Sequence, residues 1–126
     1  MATKGKKVIA IDFDGVIYEE GAYPFVGEPI PKAIDTINKY YNQGHTIIIW
    51  TCREGEAAEE AILALERDGA KYHFFNNNDH NRIAQYNNDS RKIGCDIYID
   101  DKSLNFLVNG VDWDDIDTMI NYVLND

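Results

Sequence analysis

Acidic and hydroxyl side chains follow three apolar segments of the chain, each at the point where a buried strand is predicted to end. The residues are Asp12, Asp14, Thr51, Asp100 and Asp101. The carboxyl ends of parallel strands lie at one edge of a sheet, where ligands bind in open α/β folds. We therefore expect these residues, although far apart in the sequence, to form a single polar site.

Four carboxylates at one sheet edge require a positive charge, because crowded carboxylates repel one another and take up protons. We expect Mg²⁺, a hard cation that suits one or two carboxylates together with waters and a phosphate oxygen. Asp12 is then placed to attack a phosphoryl group and form an aspartyl-phosphate. Asp14 is placed to protonate the leaving group and later to deprotonate water. A threonine hydroxyl and an ammonium would bind the remaining phosphoryl oxygens.

These segments resemble the motifs of the haloacid dehalogenase (HAD) superfamily. Asp12–Val16, with the sequence DFDGV, resembles motif I, D-x-D-x-[TV]. Ile47–Thr51 looks like motif II, an apolar strand that ends in Ser or Thr, and Ile97–Asp101 is similar to motif IV in its double-aspartate form. Motif III is a lysine in variable context, for which Lys92 is the best-placed candidate.

The resemblance implies a role for each of the four aspartates. Asp12 would be the nucleophile and a metal ligand, and Asp14 the general acid/base, whose backbone carbonyl also binds Mg²⁺. Asp100 would bind the metal directly, and Asp101 would act through water or by supporting the metal ligands. An aspartate at position 14 goes with phosphatases and phosphomutases, whereas ATPase members carry threonine there. The implied function is a Mg²⁺-dependent phosphomonoester hydrolase, with a phosphomutase-type phosphotransferase as an alternative.

Three residues are predicted to bind the phosphoryl group of the substrate: Thr51, Lys92 and Arg53. The resemblance implies Thr51 and Lys92, and Lys92 would also offset the charge of Asp12. Lys102 is the rival lysine, but we expect it to begin the next helix and to point along it. Arg53 follows Thr51 and is expected to touch the substrate, with a role at a helix start or on the surface as the alternative.

An alternation of strand and helix patterns must position these residues. Continuous apolar runs predict buried strands, and apolar residues at helical spacing predict helices. The strands are predicted at 8–11, 46–51, 72–75 and 97–99, and the helices at 31–43, 56–68 and 114–124. Right-handed crossovers then give a three-layer α/β/α sandwich around a parallel, Rossmann-like sheet.

Residues 18–28 are predicted to form a short flap, because Gly21, Pro24 and Gly27 disfavour a helix there. The flap, one helix and one strand nearly fill the stretch between Asp12 and Thr51, so no large cap domain is expected. Capless members of the superfamily act on large substrates or borrow a neighbouring subunit as a lid. A homo-oligomer is therefore one way to cover the site.

Length and charge limit the class of protein. The chain has 126 residues, 22 of them acidic and 12 basic, which predicts one domain over residues 1–126 with a net charge of −10. This charge opposes binding to a phosphate backbone, so no nucleic-acid partner is expected. The apolar runs are too short to cross a bilayer, so we expect no membrane contact and a cytoplasmic location. The expected partner is a small phosphorylated substrate.

A response-regulator receiver domain is the competing interpretation. It has about this length, a parallel sheet, an acidic pair and a phospho-accepting aspartate. Receivers carry the acidic pair after the first strand and the acceptor aspartate in the middle of the chain. Here the nucleophile candidate Asp12 comes first and the pair Asp100–Asp101 last, which favours the phosphatase.

Overall fold

The computed structural model describes residues 5–125 and contains a four-stranded, fully parallel sheet. Residues 1–4 and Asp126, the ends of the predicted domain, lie outside the described residues. The strands are β1 (Val8–Ile11), β2 (Thr46–Ile49), β3 (Phe74–Phe75) and β4 (Ile97–Ile99), in the order β3-β2-β1-β4. The helices are α1 (Ala33–Asn42), α2 (Gly55–Arg67), α3 (His80–Tyr86), α4 (Leu104–Asn109) and α5 (Trp113–Leu124). The predicted α/β, Rossmann-like class is confirmed.

Strand β1 lies between β2 and β4 and is buried along its whole length. Two backbone hydrogen bonds continue its ladders beyond the strand ends. The Asp12 N–H donates to the Ile99 carbonyl at 2.8 Å, and the Trp50 N–H donates to the Ile11 carbonyl at 2.9 Å. The polar segments that follow β1, β2 and β4 therefore start side by side.

The two faces of the sheet are covered unequally. The larger core lies on one face, between the sheet and helices α1, α2 and α5. The other face carries a small core formed by Val8, Ala10, Ile48 and Ile93. On that face His80 of α3 lies against Phe74, with ring centroids 4.5 Å apart, but α3 buries none of its residues. The three-layer sandwich thus has one full helical layer and one thin layer.

The predicted flap follows the turn after β1. The Glu19 N–H donates to the Glu28 carbonyl at 2.9 Å, and the Ile30 N–H donates to the Ile17 carbonyl at 2.8 Å, which closes the flap at its base. Only this flap and α1 lie between β1 and β2, so the chain has no cap domain at this point.

Helix α5 belongs to the full helical layer and is hydrogen-bonded to the turn after β1. Asp112 caps the helix by accepting the N–H groups of Asp114 and Asp115. The Trp113 indole N–H donates to the buried Val16 carbonyl at 2.7 Å. Within residues 5–125, no helix has the length and apolar character needed to cross a bilayer.

Candidate functional site

The carboxylates of Asp12, Asp100 and Asp101 converge at the carboxyl ends of β1 and β4. Each residue offers one oxygen, and these oxygens all lie within 4.8 Å of one another. All three residues are partly buried. The structure therefore brings together Asp12 and the acidic pair, as the parallel sheet predicts.

Crowding changes the electrostatics of Asp12. Burial, a side-chain hydrogen bond with Asp101 and the charges of Asp100 and Asp101 raise its pKa to about 8. The Phe13 N–H, which donates to Asp12 Oδ1 at 2.8 Å, acts in the opposite direction. A carboxyl group in this environment keeps its proton near neutral pH unless a cation compensates its charge.

Neighbouring groups fix the orientation of Asp100. The Tyr98 hydroxyl donates to Asp100 Oδ2 at 2.7 Å, and the Lys102 backbone N–H donates to Asp100 Oδ1 at 2.8 Å. Burial and the hydrogen bond with Asp100 raise the pKa of Tyr98, so its hydroxyl remains a donor. Both oxygens of Asp100 thus have a protein donor and retain a lone pair for a further ligand.

The turn after β1 leaves room for Asp101. Gly15 has a φ of +83°, and a Cβ at this position would lie 2.9 Å from Asp101 Cγ and closer still to its Oδ2. A glycine is therefore needed at position 15 both for the backbone conformation and for the approach of the Asp101 carboxylate.

A cleft of about 430 Å³ lies over the three carboxylates. Its lining includes the predicted residues Asp12, Asp14, Thr51, Asp100 and Asp101, together with Trp50, Tyr98 and Lys102. Trp50, which the buried strand pattern predicts to be a core residue, is only half-buried. Tyr98 is not among the predicted site residues, although the alternation of side chains along a strand places it on the same side as Asp100.

Asn76 holds the loop that carries Thr51. Its side chain accepts the Thr51 N–H at 2.7 Å and donates to the Arg53 carbonyl at 3.0 Å. The Thr51 hydroxyl oxygen accepts the Arg53 N–H at 3.2 Å, which leaves its proton available to an anion in the cleft. Thr51 therefore lines the cleft, and its role in binding phosphate stays a prediction.

Arg53 does not line the cleft, contrary to its predicted contact with the phosphoryl group. Its side chain is 1% exposed, and its five N–H donors are all taken by Asp14 and by three backbone carbonyls. Arg53 therefore has no donor left for a substrate, and the prediction that it binds phosphate is corrected.

Asp14 lines the cleft but stands apart from the group formed by Asp12, Asp100 and Asp101. Both of its carboxylate oxygens accept hydrogen bonds from Arg53, at 2.7 and 2.9 Å. Its side chain is therefore positioned by an ion pair and not by the other carboxylates.

Of the two candidate lysines, Lys102 and not Lys92 lies at the cleft. Lys102 Nζ is 3.8 Å from Asp101 Oδ2 and 3.9 Å from Glu20 Oε2. Lys92 lies on the exposed segment before β4 and is not part of the cleft lining. The predicted preference for Lys92 as the phosphate-binding lysine is therefore not supported. Lys102 reaches the cleft because it directly follows the acidic pair at the end of β4.

A similar solved structure is that of a conserved protein coded by a locus of Bacteroides thetaiotaomicron. The two chains are 36% identical, with a TM-score of 0.79, over 94% of this chain and 92% of the other. This chain belongs to the family of that conserved protein. No family model and no curated protein matches the chain. The family likeness supports the α/β fold and names no activity.

We predict that Asp12→Asn stabilises the metal-free protein at alkaline pH. Because the pKa of Asp12 is raised from 3.8 to about 8, the folded state retains a proton that the unfolded state loses. The free energy of unfolding of the wild type should therefore fall as the pH rises between about 4 and about 8. Asparagine does not titrate and can still accept the Phe13 N–H.

Urea unfolding in the presence of a chelator measures this effect. Since solvent reaches the partly buried site, we expect Asp12→Asn to be more stable at pH 8.5 by about 1 to 2 kcal/mol, well below the full value of the shift. The difference should nearly vanish at low pH. Glu59→Gln, at an exposed position in α2, is the control and should shift the curve little. A less stable Asp12→Asn protein at pH 8.5 would contradict the prediction.

Proposed function

We propose that this chain is a Mg²⁺-dependent phosphomonoester hydrolase of the HAD-like type, acting through an aspartyl-phosphate on Asp12. The observation that carries the proposal is the placement of the Asp12, Asp100 and Asp101 carboxylates in one cleft with the Thr51 hydroxyl. A nucleophile, a set of hard oxygen donors and a donor for phosphoryl oxygens are the parts that phosphoryl transfer requires.

The donor set suits Mg²⁺. Three carboxylate oxygens within 4.8 Å of one another can share one small cation that keeps several waters. The raised pKa of Asp12 indicates that Lys102, whose Nζ lies 3.8 Å from Asp101 Oδ2, does not by itself compensate the charge of the three carboxylates. Bound there, Mg²⁺ would neutralise the carboxylates and allow a phosphate dianion to approach Asp12.

In the first step a carboxylate oxygen of Asp12 bonds to phosphorus while the bond between phosphorus and the ester oxygen breaks. Asp14 transfers its proton to that ester oxygen, and the alcohol leaves. Each Asp14 oxygen accepts one N–H from Arg53 and keeps a lone pair on which the proton can reside. The Thr51 hydroxyl donates to a phosphoryl oxygen and stabilises its charge.

In the second step Asp14, now a carboxylate, removes a proton from water. The water oxygen attacks phosphorus, the bond to Asp12 breaks, and inorganic phosphate leaves. Asp12 is regenerated as a carboxylate and Asp14 as the acid, so the cycle closes without another reactant.

The test is Mg²⁺-dependent release of phosphate from p-nitrophenyl phosphate. We expect turnover that a chelator abolishes and that Asp12→Asn lowers by at least about 10³-fold, because the nucleophile is lost. Glu59→Gln, which removes an exposed charge that is not part of the cleft lining, is the control and should retain activity. Activity that survives in Asp12→Asn would show that another group is the nucleophile.

Two further outcomes would replace the proposal. If neither protein releases phosphate but a small phosphodonor labels Asp12, the chain is a stable phospho-acceptor of the receiver kind. If the phosphoryl group passes to a second hydroxyl compound in preference to water, the chain is a phosphotransferase of the phosphomutase type.

A second experiment assigns the phosphate-binding lysine. Lys102→Ala should lower kcat/KM by about ten-fold or more, because an ammonium beside the cleft stabilises the phosphoryl charge. Lys92→Ala, which removes the same charge from outside the cleft, serves as the matched comparison and should stay within about two-fold. The opposite result would return Lys92 to the role that the resemblance implies.

A further inference from the structure

The buried guanidinium of Arg53 joins the catalytic turn after β1 to the flap. Its Nε and Nη2 donate to Asp14 at 2.7 and 2.9 Å. Its remaining donors reach the carbonyls of Pro24 and Phe25 in the flap, both at 2.8 Å, and of Ala57 in α2 at 3.0 Å. One planar cation thus fixes Asp14, the flap and the first turn of α2 at the same time.

Two aromatic rings complete the surroundings of this cation. The Phe13 and Tyr23 ring centroids each lie 5.2 Å from Arg53 Cζ. Phe13 is fully buried, whereas Tyr23 belongs to the flap and is 69% exposed. The flap therefore contributes one ring and two carbonyl acceptors to a charge that is otherwise surrounded by protein.

We propose that Arg53 is a positioning residue that aligns the Asp14 carboxyl for proton transfer and makes this alignment depend on the seated flap. The inference rests on the proposed function, in which Asp14 protonates the leaving group. If the flap lifts, two N–H donors of a buried guanidinium lose their acceptors, which is unfavourable. The cation then keeps only its bonds to Asp14 and Ala57, so the guanidinium, and Asp14 with it, is held less firmly.

Two other roles for Arg53, phosphate binding and a purely structural role, predict different observations. A residue that binds the phosphoryl group needs free donors in the cleft, and Arg53 has none. A purely structural residue, when weakened, would impair all substrates alike. Loss of a positioned acid, by contrast, slows substrates in proportion to how much their leaving group needs a proton.

Arg53→Lys tests this difference, because lysine keeps the charge but lacks the planar fork that holds both Asp14 oxygens. We would compare kcat/KM for p-nitrophenyl phosphate, whose leaving group needs little protonation, and for glycerol phosphate, whose leaving group needs it fully, because kcat/KM reports the phosphoryl transfer to Asp12 and not the later attack of water. We expect kcat/KM for glycerol phosphate to fall by about 10²-fold and kcat/KM for the aryl ester by less than about five-fold.

Arg67→Lys is the matched control, because Arg67 forms the same two-bonded pair with Asp68, at 3.0 and 2.9 Å, at the opposite end of α2. Arg67→Lys should leave kcat/KM for both substrates unchanged. Equal losses of kcat/KM with both substrates in Arg53→Lys would overturn the inference while the proposed function stands. A wild type that hydrolyses neither ester would instead overturn the proposed function, and with it the role of Asp14 as an acid.

Hydrogen exchange tests the coupling to the flap without any turnover. Asp14→Asn removes the charged partner of Arg53, so amides of residues 19–28 should exchange faster than in the wild type. The exchange of α5, which Arg53 does not contact, should be unchanged and shows that the variant is folded. Wild-type exchange of the flap in both Asp14→Asn and Arg53→Lys would overturn the coupling.

Discussion

The crowding of three carboxylates at one edge of a parallel sheet is the constraint on which the site depends. Asp12, Asp100 and Asp101 are held together by hydrogen bonds between strands, although their charges repel. Burial and the neighbouring carboxylates raise the pKa of Asp12 to about 8. Without a cation, such a cluster is electrostatically unfavourable, and strongly shifted pKa values of this kind are frequent at functional sites.

Groups around the cluster keep it in one arrangement. Tyr98 and a backbone N–H orient Asp100, and Gly15 makes room for Asp101. The second aspartate of the turn, Asp14, is withdrawn from the cluster by the Arg53 ion pair. The nucleophile with its predicted metal site and the predicted acid/base Asp14 are therefore supported by different contacts. The flap is joined to the Asp14 side through the Pro24 and Phe25 carbonyls, which accept from Arg53.

The parallel direction of the strands explains why the central site residues could be predicted from the sequence. Parallel strands place their carboxyl ends together, so the convergence of Asp12 with Asp100 and Asp101 followed from three apolar runs and the residues after them. The hydrogen-bond partners of Arg53 could not be predicted in this way, because a long side chain binds whichever acceptors the fold places near it. The exposure of Trp50 and Tyr98 depends on the thinness of the layer around α3, which apolar periodicity does not reveal.

The most direct test of the account is to identify the phosphorylated residue. Asp14→Asn should slow the attack of water, so that an enzyme mixed with Mg²⁺ and p-nitrophenyl phosphate accumulates the covalent species. After an acid quench, mass spectrometry should find one phosphoryl group on the peptide that contains Asp12, and borohydride should reduce that residue to homoserine. Release of nitrophenol in the first turnover with an unmodified Asp12, or with the phosphoryl group on another residue, would contradict the account.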